Sequence, residues 1–524
     1  MGAKGVIKKG EYFDSVTLMN VARRLGAVAG VTDSAVVMGT AANKSILKNS
    51  GLLLPEFAGA GDTDLLIAVQ AGTETALADA LRKADAYLKE SRRGSSAKGG
   101  LRASSLDGAL ALLPGANLAV VSVAGRYAGG LAMDCLQKGL SVMLFSDNVP
   151  LETEVELKRF ARDRGLIVMG PDCGTAIIHG VPLAFANAVR RGSVGVVAAA
   201  GTGLQEVTTL VSNEGVGISQ GIGTGGRDVK TAVGGIAFLQ GLDFLAADPQ
   251  TKVIVLVSKP PDPDVLEKIT ARAAGIGKPM VAVFLGGDPA ALGQGRISAF
   301  ATLEAAATAA VFLAKGQGIE KSSEYLARRH ERIWELAKLD RSRKKASQKY
   351  IRGLFSGGTF CAEAQVVLGP IVGAVHSNAP LQGHPKLEDP LRSVGHTVVD
   401  LGEDEFTVGR PHPMIDYSLR DKRILAEARD PETSVILLDV VIGYGSHPAP
   451  LDELGPVVRE AIAVADGAGR HLSVVCSVTG TDADPQNRSL VAKGLEAAGA
   501  AVLPSNAAAC RLAGEIVRGG EHHV

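Results

Sequence analysis

The strongest constraint on this chain is a set of short, predominantly apolar runs, without polar alternation, separated by helix-length segments. They fall at Leu118–Val123, Val142–Ser146, Leu166–Pro171, Val194–Ala199, Val216–Gln220, Val253–Ser258, Met280–Leu285, Val398–Leu401, Val435–Val441, Leu472–Cys476 and Ala501–Pro504. A strand that is apolar on both faces must be covered on both faces, and helices do that in parallel sheets. The pattern therefore predicts an α/β protein. The 64 glycines among 524 residues suit the many strand-to-helix turns of such a fold.

Length predicts about three domains. Residues 1–95 read as a small α/β unit with strands near Gly5–Lys9, Ala35–Met38 and Leu65–Val69 and helices near Val16–Leu25 and Ala76–Leu88. Lys89–Gly100 is small, polar and basic, the composition of a linker. Residues 101–190 and 191–317 then form two α/β blocks. Residues 318–349, with Arg328-Arg329-His330-Glu331-Arg332 and Arg341-Ser342-Arg343-Lys344-Lys345, read as a solvated helix and linker, and 350–520 as a last α/β block.

Lys+Arg and Asp+Glu are both 55, a net charge of zero. That balance excludes binding to nucleic acid or to a membrane surface by bulk electrostatics. The five cysteines are scattered, so no disulfide framework and no metal-ligand cluster is expected. No apolar run reaches the ~20 residues of a membrane span, and the start has no signal-peptide core, so a cytoplasmic protein is expected.

Chemistry is expected at the carboxyl ends of the strands. Gly201-Thr202-Gly203 follows one strand and opens a helix, whose free N–H groups favour an anion. Gly443-Tyr444-Gly445 follows a strand in the last block, so Gly201, Thr202, Gly203, Gly443 and Gly445 are the expected phosphate cradle. Gly221–Asp228 with Arg227, and Lys259 after the next strand, are candidates to hold an anion. His412, locked between Pro411 and Pro413 beside Arg410, is a candidate acid or base. Asp172 lies in the turn Gly170-Pro171-Asp172-Cys173-Gly174-Thr175, and Cys173 reads as a buried packing residue. Neither a Walker A motif nor a full G-x-G-x-x-G fingerprint at the first strand of 101–190 is present, so no self-contained nucleotide site is expected.

Two resemblances rest on these motifs. Gly170–Thr175, Val194–Val197 with Gly201-Thr202-Gly203, Gly221-Ile222-Gly223 and Asp248–Thr251 resemble the succinyl-CoA synthetase α-subunit. Met38–Lys44, Phe145–Val149, Pro182–Asn187, Gly225–Asp228, Val257–Pro261, Thr407–Asp416, Leu438–Gly443 and Val478–Thr481 resemble FdrA proteins along essentially the whole chain. The resemblance implies a Rossmann-like CoA-binding-type domain after the small N-terminal domain. Two flavodoxin-like ligase domains follow, one matching the synthetase α-subunit and one the C-terminal part of its β-subunit. The two Gly-rich turns would be paired helix N-termini that bind phosphate. The stretch Leu285–Ala299, where the synthetase carries its phosphorylated histidine, has no histidine, and no ATP-grasp domain is present.

The resemblance therefore implies a subunit of an oxamate carbamoyltransferase, splitting oxalurate with phosphate into oxamate and carbamoyl phosphate in allantoin and purine breakdown. Arg227, Lys259, Arg410, Asp172 and Asn187 would hold the substrate, with His412 as proton donor to the leaving nitrogen. Phosphate would be co-substrate, with no covalent cofactor, and other subunits of the complex would be partners in an oligomer. The alternative is an NDP-forming acyl-CoA synthetase working with an ATP-grasp partner, with CoA bound near Gly125–Ala128.

Overall fold

The computed structural model describes residues 2–11, 13, 15–40, 43–44, 47–48, 51–96, 103, 105–292, 296–407 and 411–518. The chain divides into two compact units. One is Met1–Ala116 with Glu403–His412, and the other is Asn117–Gly402 with Pro413–Val524.

In the first unit, β1 (Gly2–Lys8), β2 (Val31–Met38) and β3 (Leu65–Ala71) form an antiparallel sheet in the order β1-β3-β2. Helices α1 (Ser15–Gly26) and α2 (Glu74–Ser96) cover one face through Leu18, Val21, Leu25, Leu77, Ala80 and Ala84. Leu47, Leu52 and Phe57 pack with Leu66 and Ala68 in a second cluster. The expected linker is thus helical as far as Ser96. Lys89, Glu90, Arg92 and Arg93 are good helix formers and continue α2 into it.

Among the described residues the second unit holds three sheets. β4 (Leu118–Val121), β5 (Ser141–Leu144) and β6 (Val168–Met169) are parallel, with α3 (Gly125–Gln137) and α4 (Leu151–Arg162) as crossovers. The hairpin β7 (Thr175–Ile178) and β8 (Val181–Ala184), too short to show in the sequence pattern, joins the next sheet at its edge. That sheet contains β9 (Arg191–Ala198), β10 (Ile218–Gly223), β11 (Val253–Ser258), β12 (Met280–Phe284) and β13 (Ile297–Phe300), in the order β13-β12-β11-β9-β10-β7-β8. Helices α5 (Gly201–Asn213), α6 (Ile236–Ala247) and α7 (Leu303–Ala314) flank it.

After α8 (Ile319–Arg343) comes the last sheet. It is wholly parallel and contains β14 (Tyr350–Phe355), β15 (Val375–Ser377), β16 (His396–Asp400), β17 (Thr433–Val441), β18 (Ser473–Thr479) and β19 (Ala501–Leu503), in the order β15-β16-β14-β17-β18-β19. Its helices include α9 (Gly358–Val372), α10 (Ser418–Arg429) and α11 (Asn506–Val517).

The five strands from β9 run in the doubly wound 2-1-3-4-5 order, and so do those from β14 once the short edge strand β15 is set aside. The order reverses between β9 and β11 in one sheet and between β14 and β17 in the other. Side chains of both sheets merge into one core, which holds Val196, Leu204 and Val207 together with Ile351, Phe360 and Leu437.

The solvated linker expected at 318–349 is instead a packed helix. Ile333 and Ala337 of α8 are buried in the shared core, and Arg329 pairs with the buried Glu304. Most of its charge lies on the opposite face, which made the segment read as exposed.

Candidate functional site

The glycines of Gly201-Thr202-Gly203 are not a loop before a helix but its first turn. α5 begins at Gly201, its N-cap Ala200 offers no side-chain bond, and Leu204 N donates to Ala200 O at 2.9 Å. The N–H groups of the first turn therefore have no acceptor within the helix. They emerge at the carboxyl end of β9, at the reversal of strand order, where doubly wound sheets take ligands.

A second helix start sits at the equivalent place in the last sheet. β14 runs through Ser356 and Gly357 into α9, whose N-cap Gly357 also lacks a side-chain bond. The Phe360 and Cys361 N–H groups donate to Gly357 O at 2.9 and 3.1 Å. The two starts meet reciprocally. A Cβ on Gly357 would stand 2.8 Å from Thr202 Cγ2, and one on Gly203 would stand 3.0 Å from Thr359 Cγ2. Glycine at these two positions is what lets the helix ends approach. Nothing in the sequence pattern singles out Ser356, Gly357, Gly358 and Thr359. A shared signal exists nonetheless: a Gly-Thr pair opens both helices, and a glutamate follows each at the same spacing, Glu206 in one and Glu363 in the other.

Those glutamates tie the two sheets together. Glu206 accepts from Thr479 Oγ1 at 2.6 Å and from Asn506 N at 3.0 Å. Glu363 accepts from Leu303 N at 2.7 Å and Asn506 Nδ2 at 2.8 Å. Each thus caps the start of another helix, Glu206 that of α11 and Glu363 that of α7. Burial raises the pKa of both, that of Glu363 to about 8.

The α9 start is set from the sheet by Asp439. Its carboxylate accepts from Ser356 N at 2.8 Å, Ser356 Oγ at 2.9 Å and Gly357 N at 2.8 Å. Asp400 also lies against this turn, its carboxylate filling the place of a Cβ on Gly358. Lys259 is exposed after β11, two residues beyond Val257, whose side chain lies against Gly203 at the α5 start.

Other expected residues have different places. The Gly443 turn does not open a helix; the next helix starts at Pro450. Gly443 N donates to Gln486 Oε1 at 3.0 Å, and its carbonyl accepts from Gln486 Nε2 at 3.0 Å, so its amide is not free for phosphate. Gly445 packs against Phe185. Asn187 is buried and fully engaged: Nδ2 donates to Ile442 O at 2.7 Å and Asp484 Oδ2 at 2.9 Å, and Oδ1 accepts from Gln205 at 3.1 Å. It fastens one sheet to the other instead of facing a substrate.

Arg227 pairs with Glu154 at 2.9 Å and donates to Val149 O at 2.8 Å. Behind it Lys158 Nζ bonds Glu154 at 2.8 Å and Asp228 at 2.7 Å, and Asp228 caps α6 through Phe238 N at 2.7 Å. The Gly221–Asp228 turn is thereby pinned, not free to wrap an anion. Asp172 is exposed in its turn, and Cys173 is buried with its thiol pushed up to about 12 by burial.

His412 belongs to the other unit. Burial pulls it down to about 4, so its imidazole is neutral near pH 7. Arg410 lies outside the described residues. At the start of α3, where CoA is expected, a Cβ on Gly125 would overlap the carbonyls of Asp147 and Asn148, while Ala124, Arg126 and Tyr127 are exposed.

Comparison with known proteins places this geometry in context. Residues 354–516 match a family described as CoA-ligase, and residues 1–104 match one described as AllF, heavy metal-associated domain. The first 104 residues contain neither cysteine nor histidine, so they offer no thiolate or imidazole donor. Among the described residues no group of three His, Cys, Asp or Glu side chains could hold a metal ion.

The uncharacterized protein YahF of Escherichia coli is 41% identical over 522 residues, covering 99% of this chain and 100% of its own. The ADP-forming sulfoacetate-CoA ligase subunit SauD of Bilophila wadsworthia is 28% identical over 189 residues, 34% of this chain and 62% of its own. Among solved structures, an acetyl-coenzyme A synthetase of Ca. Korarchaeum cryptofilum covers 76% of this chain and 82% of its own at 15% identity and a TM-score of 0.32. No helix among the described residues is long and apolar enough to cross a membrane.

Proposed function

This chain belongs to the FdrA family, with YahF as a full-length relative, and on that premise we propose that it is the phosphate-handling subunit of a ligase-type enzyme. The compound it makes or consumes is a mixed anhydride of phosphate with an acyl or carbamoyl group. The observation that carries this reading is the meeting of two helix starts, α5 and α9, neither with a side-chain cap. Two positive helix ends brought together suit a phosphate dianion.

In phosphorolysis a phosphate oxygen attacks the carbonyl carbon and the carbonyl oxygen takes up negative charge. Its collapse breaks the C–N bond, the nitrogen leaving with a proton from solvent and the mixed anhydride remaining. In acyl-CoA formation the CoA thiol gives up its proton to solvent and attacks the carbonyl carbon of the mixed anhydride, and phosphate is the leaving group. The helix N–H groups hold the phosphate, and Lys259 compensates charge that develops outside it. Asp439 keeps the α9 turn in the shape that presents its free N–H groups.

Acyl-CoA formation with a nucleotide-binding partner is the first chemistry of this class, supported by the CoA-ligase match and by the ligase subunit among the relatives. A second reading, phosphorolysis of oxalurate to oxamate and carbamoyl phosphate, is favoured by one observation: Leu285–Ala299 contains no histidine to carry a phosphoryl group, so phosphate would act directly. The deciding experiment supplies the chain, with its partner subunits, either with oxalurate and phosphate or with carboxylic acids, CoA and ATP. Carbamoyl phosphate in the first mixture selects phosphorolysis, and acyl-CoA in the second selects ligation. Product in neither, with no phosphate binding by calorimetry, would sink the proposal.

A further inference from the structure

Asp439 is held from behind as well as by the turn it organises. Behind it lies Arg420 of α10, a guanidinium with no exposed surface. Arg420 Nη1 donates to Asp439 O at 2.7 Å and to Asp439 Oδ1 at 3.2 Å. Its Nε and Nη2, both buried, have no hydrogen-bond partner among the described residues. Asp439 is the carboxylate to which this buried guanidinium is hydrogen-bonded.

The other face of the arrangement is aromatic. The Arg420 guanidinium lies 4.3 Å from the centroid of the Tyr417 ring. Tyr417 in turn stacks on His447 at 4.8 Å, and His447 Nε2 lies 3.0 Å from Glu453 Oε1. The segment after β17, expected to cradle phosphate itself, thus leads to a residue that buttresses the arginine.

We infer that Arg420 is a positioning residue for the α9 helix start: by holding Asp439 it fixes the Ser356–Gly357 turn and so the direction of the N–H groups of Gly358 and Thr359. The inference rests on the reading of α5 and α9 as a phosphate seat. A buried carboxylate left without its cation would take up a proton or turn toward other donors, and either change weakens its three bonds to the turn. The α5 start has Ala200 as its N-cap, and among the described residues no carboxylate is bonded to it as Asp439 is to the α9 turn. The effect is therefore confined to one of the two lobes.

The test uses the full chain carrying Arg420→Met or Arg420→Lys. Amide hydrogen exchange is followed in peptides spanning 351–362 and 199–210, and inorganic phosphate binding is followed by calorimetry. The expected result for Arg420→Met is exchange at least tenfold faster in the first peptide, less than twofold change in the second, and at least tenfold weaker phosphate binding. Arg420→Lys should recover part of both, and it carries the comparison if the methionine variant does not fold. Unchanged exchange at 351–362 in the folded variant overturns the inference. Faster exchange there, in a protein whose wild type binds no phosphate, supports the positioning role and removes the phosphate reading instead.

Discussion

Gly357 and Gly203 show how much a missing methyl group can decide. A Cβ at either would stand 2.8 or 3.0 Å from a threonine methyl of the facing helix, closer than carbon atoms pack without displacement. Gly203→Ala should therefore separate the helix starts and weaken phosphate binding at least tenfold, read by calorimetry, while the melting temperature shifts by only a few degrees. Lys259 is exposed, so Lys259→Ala should lower turnover without altering stability, and Lys259→Arg should restore part of it. His412 is held neutral by burial. Replacing it with Asn should leave the pH–rate profile between pH 6 and 8 unchanged in shape.

Among the elements, α8 separates what charge patterns reveal from what they hide. Its sequence is dominated by Arg, Lys and Glu, yet Ile333 is 2% exposed whereas Leu336 is 57% exposed. Ile333→Ala should cost about 2–4 kcal/mol in urea unfolding. Leu336→Ala should stay within about 0.5 kcal/mol. Equal effects of the two would show that α8 does not pack on the core. The continuous apolar strands were legible because burial on both faces leaves no polar alternation. The hairpin β7–β8 and the short β13 and β15 were not, since such brief strands carry too little pattern to stand apart from loops.

For the whole second unit, the buried Glu363 predicts a pH dependence of stability. Burial raises its pKa to about 8, well above that of an exposed glutamate. Between these values the folded state holds a proton that the unfolded state releases, so its contribution is complete at low pH and is lost as pH rises toward about 8. The melting temperature should fall between pH 6 and pH 8, and Glu363→Gln should flatten that fall. A slope unchanged by the substitution would assign it to other groups.

Local signals were enough for the α/β class, the family and the first of the two helix starts. These are apolar runs, a Gly-Thr-Gly turn after a strand, and long strings shared with relatives. Which turn faces Gly201-Thr202-Gly203 was beyond their reach. The Gly443 turn has the more conspicuous glycines, but Gln486 occupies its amide. The Ser356–Gly357 turn, less marked in sequence, stands at the reversal of strand order with Asp439 beneath it. Contacts between segments far apart in the chain settle such a choice, because a backbone N–H is free or engaged only once the other segment has arrived beside it.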